Sequence, residues 1–201
     1  MPRGLAAAIL IAAVSPALPS YWVTYREQYY RLYHLHYIQN PDDSIENIYW
    51  LEKALSADFA NPLNALCLIE TPVQWEKYRY LFTMHLYLKL IEQHIFLGNK
   101  YNKRNAYFYN APFREQNLAS LETAETCYRA ALFYWDSARE WAEKAREARF
   151  RWINLGGVQY WEDEAARIED GGLDYGKVLT RELARLQQVR ETFAAMDETT
   201  Y

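Results

Sequence analysis

The four histidines are the first residues to consider for chemistry, because imidazole serves both as a metal ligand and as a general base. They are His34, His36, His85 and His94. His34 and His36 are two positions apart, which on a helix points their side chains about 200° away from each other. His85 and His94 are nine apart, and no histidine follows a glutamate at the Glu-x-x-His spacing of di-iron carboxylate bundles. The spacing therefore predicts no metal site at these residues.

The other patterns that could do chemistry are better explained by structure. Glu162-Asp163-Glu164 places three adjacent carboxylates around a helix axis, which is typical of a solvated face rather than of a calcium site. The pairs Gly156-Gly157 and Gly171-Gly172 lack the Lys, Ser or Thr of a phosphate loop and indicate the ends of helices. No serine or cysteine lies in a nucleophile motif. We therefore predict a protein that is not an enzyme, with no catalytic residue, no cofactor and no metal.

Composition and charge exclude further classes of function. Hydrophobic residues make up 51% of the 201 positions, which is enough for a core and far from a disordered composition. The formal net charge is −4, so the chain has no basic surface of the kind that binds nucleic acid. Cys67 and Cys127 are compatible either with one disulfide or with two buried thiols.

The elements that would position a site are all predicted to be helices. Apolar residues recur with helical spacing from 21 to 39 and from 45 to 59, and a brief further helix is predicted from Asn61-Pro62 to Ile69. Asp43 with Glu46 has the pattern of a capping box at the second of these helices. We therefore predict an all-α fold in which antiparallel helix pairs stack as a short solenoid or a helical bundle.

The chain from Thr71 onward contains the clearest signals for helix ends. Thr71-Pro72-Val73-Gln74 is a strong start signal for a long helix from Trp75 to Leu97, with Gly98 as its end. The region from 118 to 150 is predicted either as one very long helix or as two helices joined near Trp135. A short charged helix from 158 to 168 and a last helix from Asp174 follow, and only 105–109 is a weak candidate for a strand.

A ten-residue pattern occurs twice, ninety-one positions apart. Residues 50–59 and 141–150 share W-x-E-K-A-x-x-A-x-F, with six identical positions. Repetition of this kind is typical of helical repeat proteins, whose units bury their faces by stacking. The segments 49–55 and 138–145 resemble the end of the second helix of the tetratricopeptide repeat, a 34-residue pair of antiparallel helices. This resemblance implies a repeat array that holds other proteins, although the separation of 91 is not a multiple of 34.

A second resemblance concerns the cellular setting. Trp161-Glu162-Asp163-Glu164 and the segment 174–186, in an aromatic-rich helical chain, are similar to small periplasmic scaffolds of spirochaetes, some of which belong to the collar of the periplasmic flagellar motor. This resemblance implies a protein partner in the cell envelope.

The N-terminal residues predict export. Residues 1–20 combine one basic residue, the apolar run from 5 to 14, and small residues around Ser15-Pro16-Ala17, which is the pattern of a signal peptide. An uncleaved membrane anchor or an ordinary apolar helix are the alternatives. We expect residues 21–201 to form one domain that is periplasmic or secreted, with a tyrosine-rich half (21–110) and a charged half rich in Ala, Glu and Arg (111–201).

The tyrosine-rich half predicts where a protein partner would bind. It holds thirteen of the eighteen tyrosines, and a tyrosine ring can be buried at an interface while its hydroxyl stays hydrated. A second predicted surface is the apolar stripe of the last helix, which suits either a partner or the protein's own end. The predicted partner-binding residues are Trp22, Tyr25, Tyr29, Tyr33, Tyr37, Trp75, Tyr78, Leu186 and Phe193.

The function predicted from these features is an exported, non-enzymatic scaffold or adaptor for other proteins. Two alternatives stay open. One is a small-ligand carrier or sensor with an aromatic pocket between helices. The other is a component of a membrane-anchored machine, held in the membrane by residues 1–20.

Overall fold

The computed structural model describes residues 22–197 and 199–200, with the backbone alone at Phe108, and these residues contain six α-helices and no strand. The helices are α1 (Arg26–Gln39), α2 (Ser44–Ser56), α3 (Pro72–Tyr101), α4 (Arg114–Ala145), α5 (Gln159–Glu169) and α6 (Tyr175–Ala194). Short 3₁₀ helices occur at Pro62–Asn64, Phe108–Phe113 and Ala148–Phe150. The prediction of an all-α fold is confirmed.

The predicted signal peptide, residues 1–20, lies outside the described residues. None of the described helices combines the length and the apolar character that a membrane crossing needs.

Helix α3 begins where the sequence predicts it. The Thr71 hydroxyl accepts the backbone N–H of Gln74 at 3.2 Å, and the Gln74 side chain accepts the N–H of Thr71 at 3.0 Å. This reciprocal capping satisfies two N–H groups that have no partner within the helix, and Pro72 contributes no N–H that would need one. At α2 only half of the predicted box forms, because Asp43 accepts from Glu46 N at 3.2 Å while no reciprocal bond accompanies it.

The prediction that Gly98 ends α3 is wrong. Gly98 is buried within the helix, where an added Cβ would lie 2.7 Å from a ring carbon of Tyr128 on α4. The glycine is therefore a point of close helix contact rather than a stop, and α3 continues to Tyr101. The ring contacts Tyr80–Trp141 and Tyr87–Tyr134 show that α3 and α4 run antiparallel.

Four other boundaries differ from the sequence-based expectation. Of the two alternatives for residues 118–150, one long helix is confirmed, but α4 starts at Arg114 and ends at Ala145 rather than at Phe150. The candidate strand at 105–109 is instead irregular backbone leading into a 3₁₀ helix. The brief helix expected up to Ile69 is limited to Pro62–Asn64. The first helix begins at Arg26 rather than at residue 21, and Tyr25 before it forms an isolated parallel bridge with Asp58.

The remaining helices pack around the α3–α4 pair. Helices α1 and α2 form an antiparallel hairpin, hereafter the hairpin, whose inner side lies on α3. Helix α5 covers the N-terminal half of α3 through Trp161, which stacks on Phe82 with ring centroids 5.1 Å apart and an interplanar angle of 3°. Helix α6 runs along α4. The core is rich in aromatic rings where α1, α3 and α5 meet, and rich in alanine along α4.

The two copies of the repeated pattern occupy equivalent positions. Each lies at the C-terminal end of a helix, α2 or α4, and in each the alanine of the Lys-Ala pair, Ala54 or Ala145, is buried. At 30 residues, α3 alone approaches the length of a whole tetratricopeptide repeat. The resemblance to that family stays a prediction.

The two cysteines are free thiols. Cys127 is buried and Cys67 is half-buried, so the structure favours the second of the two possibilities that the sequence leaves open. Burial raises the pKa of the Cys67 thiol to about 11, which keeps it protonated and unreactive at neutral pH.

Candidate functional site

The structure separates the predicted partner-binding residues into an exposed and a buried group. Trp22 is 80% exposed, and Tyr25 and Tyr37 are 42% and 40% exposed. Tyr29 and Trp75 are half-buried in ring stacks with Trp50 and Tyr78 respectively. The exposed group is available to a partner, but Trp22 and Tyr25 lie at one end of the hairpin and Tyr37 near the other.

Four of the predicted residues belong to the protein's own core, which corrects the sequence-based assignment. They are Tyr33, Tyr78, Leu186 and Phe193, and each is at most 3% exposed. Tyr33 and Tyr78 pack among the rings of α1, α3 and α5, whereas Leu186 and Phe193 lie on the side of α6 that meets α4. Most of the apolar stripe of α6 therefore packs within the protein, although Val178 near the start of the helix is 39% exposed.

The sequence reasoning identified only Tyr37 in the largest group of exposed apolar residues on the hairpin. At the closed end, where four residues link α1 to α2, five large side chains are each between 40% and 68% exposed. We call this end of the hairpin the hairpin tip. Its exposed side chains are Leu35, Tyr37, Ile38, Ile45 and Tyr49. Leu35 and Tyr37 are two residues apart on α1, so they lie on opposite sides of that helix, and the exposed side chains surround the tip rather than forming one flat face. All five residues fall in the two segments with apolar periodicity, 21–39 and 45–59, so periodicity alone gave no means of telling them from core residues.

The C-terminal end of α3 extends the hairpin tip. The Lys100 ammonium group donates to the backbone carbonyl of Asp42, in the turn between α1 and α2, and lies 4.8 Å from the centroid of the Phe96 ring. Phe96 is 40% exposed. The exposed aromatic surface thus continues from the hairpin onto α3.

Arg26 bonds the open end of the hairpin to α3. The Arg26 guanidinium donates to the carbonyls of Ala54, Leu55 and Ala57 at 2.8 to 3.2 Å, and to the Thr83 hydroxyl on α3 at 2.8 Å. The last carbonyls of a helix have no partner within it, so Arg26 caps α2 while bonding to α3. Its guanidinium also lies 4.1 Å from the centroid of the Phe59 ring, a cation–π contact.

A buried hydrogen-bond chain joins α1, α3 and α5 beneath the hairpin. The Tyr30 hydroxyl lies 2.9 Å from His85 Nε2, and Glu164 Oε2 lies 2.7 Å from His85 Nδ1. Because a carboxylate accepts hydrogen bonds, Nδ1 carries the proton and Nε2 accepts from Tyr30. Burial lowers the pKa of His85 despite the nearby Glu164 carboxylate, and burial raises the pKa of Tyr30.

This chain has the order hydroxyl, imidazole and carboxylate found in hydrolase triads. His85, however, is 1% exposed, and neither His85 nor Tyr30 lines any of the five cavities described below. The imidazole is thus shielded from solvent in this structure. The chain is therefore best understood as a buried polar network that fixes how the three helices pack.

A second buried group ties the segment after α2 to the core. Glu27 is 2% exposed, and its carboxylate accepts the backbone N–H of Ala60 at 2.9 Å and the Tyr78 hydroxyl at 3.4 Å. The Tyr78 hydroxyl in turn accepts the backbone N–H of Leu66 at 3.1 Å. The position of Tyr78 is thus explained by bonds within the chain.

The structure brings together one group of possible metal ligands that spacing along the sequence did not reveal. Ligand atoms of His36, Asp43 and Glu46 lie within 4.8 Å of one another at the hairpin turn. His36 Nε2 is 3.4 Å from Glu46 Oε2, and His36 Nδ1 is 2.9 Å from the buried Asn47 Oδ1. The three residues come from different helices or their caps, which is why a search for ligands on one helix missed them. Exposed acidic groups commonly lie together without an ion, so we assign no metal to this group.

Five cavities among the described residues have volumes of about 270 to 590 Å³. No tyrosine lines any of them, so the tyrosine-lined pocket of the small-ligand hypothesis is not among them. One cavity, of about 540 Å³, lies between α3, the end of α4 and α5, and is lined in part by the buried Lys77. We call it the α4–α5 cavity.

Comparison with known proteins places the helices that build this core in a family. Residues 73–196 match the model of a family described as a domain of unknown function, DUF8513. The match covers more than half of the chain. The protein belongs to the DUF8513 family. The DUF8513 match begins in the first turn of α3 and ends just after α6, so it contains the α3–α4 pair and the α4–α5 cavity but not the hairpin. No curated protein and no solved structure matches the chain.

Proposed function

We propose that the protein is a non-enzymatic helical adaptor that binds a partner protein through the hairpin tip. The observation that carries the proposal is the exposure of five large apolar side chains, Leu35, Tyr37, Ile38, Ile45 and Tyr49, at one end of the hairpin. Clusters of exposed apolar residues with a polar rim are typical of protein interaction sites.

The surroundings of the hairpin tip have the composition of an interface. Buried interface centres are depleted in charge and enriched in aromatic residues, while their rims are polar. Tyr37 and Tyr49 supply rings, and the neighbouring Asp42, Asp43 and Lys100 supply exposed charges around them. The charges of the rim have both signs, so we expect apolar burial rather than charge attraction to dominate the affinity.

The hairpin is also anchored on α3 at both ends. Arg26 bonds to α3 at the end opposite the tip, and the Lys100 ammonium group of α3 donates to the Asp42 carbonyl in the turn at the tip. Leu51 and Ala54 of α2 are buried. A surface that is ordered before binding loses less conformational entropy when a partner docks. The position of the hairpin outside the DUF8513 match further suggests that the family's helices form a platform on which this chain presents its own binding surface.

We place the partner in the cell envelope. The support for this location is the signal-peptide pattern of residues 1–20 in the sequence. The resemblance to flagellar collar scaffolds stays a prediction, since the hairpin tip carries no feature that selects a flagellar partner over another envelope protein.

A pull-down from the native organism tests the proposal. The bait carries a C-terminal tag and is lightly crosslinked, and recovered proteins are quantified by mass spectrometry. The double variant Ile38→Ser/Ile45→Ser removes two side chains that are 64% and 68% exposed, so it should fold as the parent does. We expect recovery of a stoichiometric partner to fall about tenfold or more, because truncating a hot-spot residue at the centre of an interface costs about 2 kcal/mol or more, and each increment of about 1.4 kcal/mol is tenfold in affinity.

The matched control is Leu63→Ser/Leu68→Ser, which removes two aliphatic side chains that are 93% and 73% exposed in the segment between α2 and α3. Recovery with this control should stay within about twofold of the parent. Equal losses in both variants, or a bait that is recovered alone, would contradict the proposal. The N-terminal peptide of the bait, read in the same experiment, tests export separately.

A further inference from the structure

The α4–α5 cavity is lined by one buried ammonium group, two guanidinium groups and one carboxylate. These belong to Lys77, Arg146, Arg151 and Glu162, so the charged groups on its lining sum to +2. Its volume of about 540 Å³ lies within the range of about 300 to 1,000 Å³ usual for small-molecule sites. The excess of positive charge selects for an anionic occupant.

The buried lysine at this cavity is incompletely bonded. Lys77 is 7% exposed, and its ammonium group donates to Glu162 Oε1 at 3.0 Å and to the carbonyl of Ile153. An ammonium group has three N–H bonds, so one donor has no protein acceptor within the described residues. Glu162 is already engaged, because the same carboxylate oxygen also accepts the backbone N–H of Leu155 at 3.3 Å.

The two arginines of the lining differ in whether a carboxylate of the protein neutralises their charge. Arg146 Nε forms a salt bridge of 2.5 Å with Glu169. Arg151 is exposed, lies 5.1 Å from the centroid of the Trp152 ring, and has no carboxylate within 4.0 Å among the described residues. Arg151 is therefore the cation at this cavity whose charge is not neutralised by the protein.

The walls of the cavity are apolar and small. Leu81 and Phe150 supply apolar surface, and alanines at 145, 148 and 165 leave the space open. The cavity exists because α4 stops at Ala145 and the chain turns through a 3₁₀ helix before α5 begins. A bound molecule would thus contact apolar side chains along one part of the cavity and positively charged side chains along another.

We propose that the α4–α5 cavity binds a small organic anion, with a carboxylate, sulfonate or phosphate group on a compact apolar body. Arg151 and the remaining N–H of Lys77 contact the anionic group, because charge-assisted hydrogen bonds are the strongest available there. The alanine-rich wall holds the apolar body. This site is independent of the hairpin tip. Leu81 and Phe96 are fifteen residues apart on α3, which corresponds to about 22 Å.

The test uses two probes of the same shape and different charge, naphthalene-2-sulfonate and the neutral naphthalene-2-sulfonamide, with inorganic phosphate as a third. Isothermal titration calorimetry on the protein measures each affinity. We expect the sulfonate to bind about tenfold more tightly than the sulfonamide, which corresponds to about 1.4 kcal/mol. We expect phosphate alone to bind more weakly than the sulfonate, because it has no apolar body.

Two variants locate the site. Arg151→Gln removes the unpaired charge, and Ala148→Phe fills the cavity from an exposed wall position. Each should weaken sulfonate binding at least about fivefold, while Arg31→Gln, an exposed arginine on α1, should leave it unchanged. Circular dichroism checks that the variants fold. Equal affinity for the two naphthalene probes, no binding at millimolar sulfonate, or full binding by Arg151→Gln would overturn the proposal.

Discussion

Replacing Arg26 with alanine removes the one side chain that caps α2 and bonds to α3 at the same time. The guanidinium makes four hydrogen bonds, three of them to backbone carbonyls at the end of α2, and one cation–π contact with Phe59. A hydrogen bond to a charged group contributes about 1.5 to 3 kcal/mol, but water reaches part of this half-buried position after truncation. Taking about 1 kcal/mol for each of the three carbonyls gives a loss of about 3 kcal/mol.

Urea unfolding followed by circular dichroism measures this loss. For a protein of this size, a loss of about 3 kcal/mol lowers Tm by about 6 to 12 °C. Arg26→Lys keeps the charge but cannot reproduce the planar fork of donors, so it should lose about half as much. The control Arg31→Ala removes an exposed arginine from the same helix and should change the free energy of unfolding by less than about 0.5 kcal/mol. If Arg26→Ala is as stable as Arg31→Ala, the hairpin is not held as we describe.

Two further predictions concern the core. Burial lowers the pKa of both His85 and His94, so the unfolded chain binds protons more readily than the folded protein, and stability should fall as the pH drops below about 6.5, by up to about 1.4 kcal/mol per pH unit for each histidine. Urea unfolding between pH 7.5 and 5.5 measures the slope, and a His85→Gln variant with an equally steep slope would refute the assignment. Gly98→Ala should lower stability by about 1 to 2 kcal/mol, because overpacking against Tyr128 outweighs the gain in helix propensity. Gly156→Ala, with nothing within 4 Å of the added Cβ, is its control and should be neutral.

The ends of several helices could be predicted because they depend on local chemistry. Thr71, Pro72 and Gln74 set the start of α3 through bonds within four residues, and Asp174 caps α6 by accepting the N–H of Lys177 at 2.9 Å. Such bonds do not depend on the rest of the fold. Gly98 was misread because the same residue that ends helices also permits two helices to approach, and only the position of Tyr128 distinguishes the two roles.

The candidate site could be predicted only in part, because exposure depends on tertiary packing. Tyr33 and Tyr37 are one helical turn apart and alike in sequence context, yet Tyr33 is buried while Tyr37 is exposed. The aliphatic residues Ile38 and Ile45 were missed for the same reason, since they resemble core positions until the hairpin closes. The α4–α5 cavity is formed by α3, by the end of α4 with the segment after it, and by α5. These segments are distant in sequence, so no local sequence pattern predicts the cavity.

Site-specific photocrosslinking in living cells tests the central claim most directly. A photoreactive benzophenone amino acid is introduced in place of Ile45 at the hairpin tip, and separately in place of Leu63 in the segment between α2 and α3. Both positions are exposed, so the substitution should leave the fold intact. Our account predicts that illumination yields a discrete adduct with one partner protein from position 45 and none from position 63. An adduct from position 63 alone, or no adduct from position 45, would contradict the claim that the hairpin tip is the binding surface.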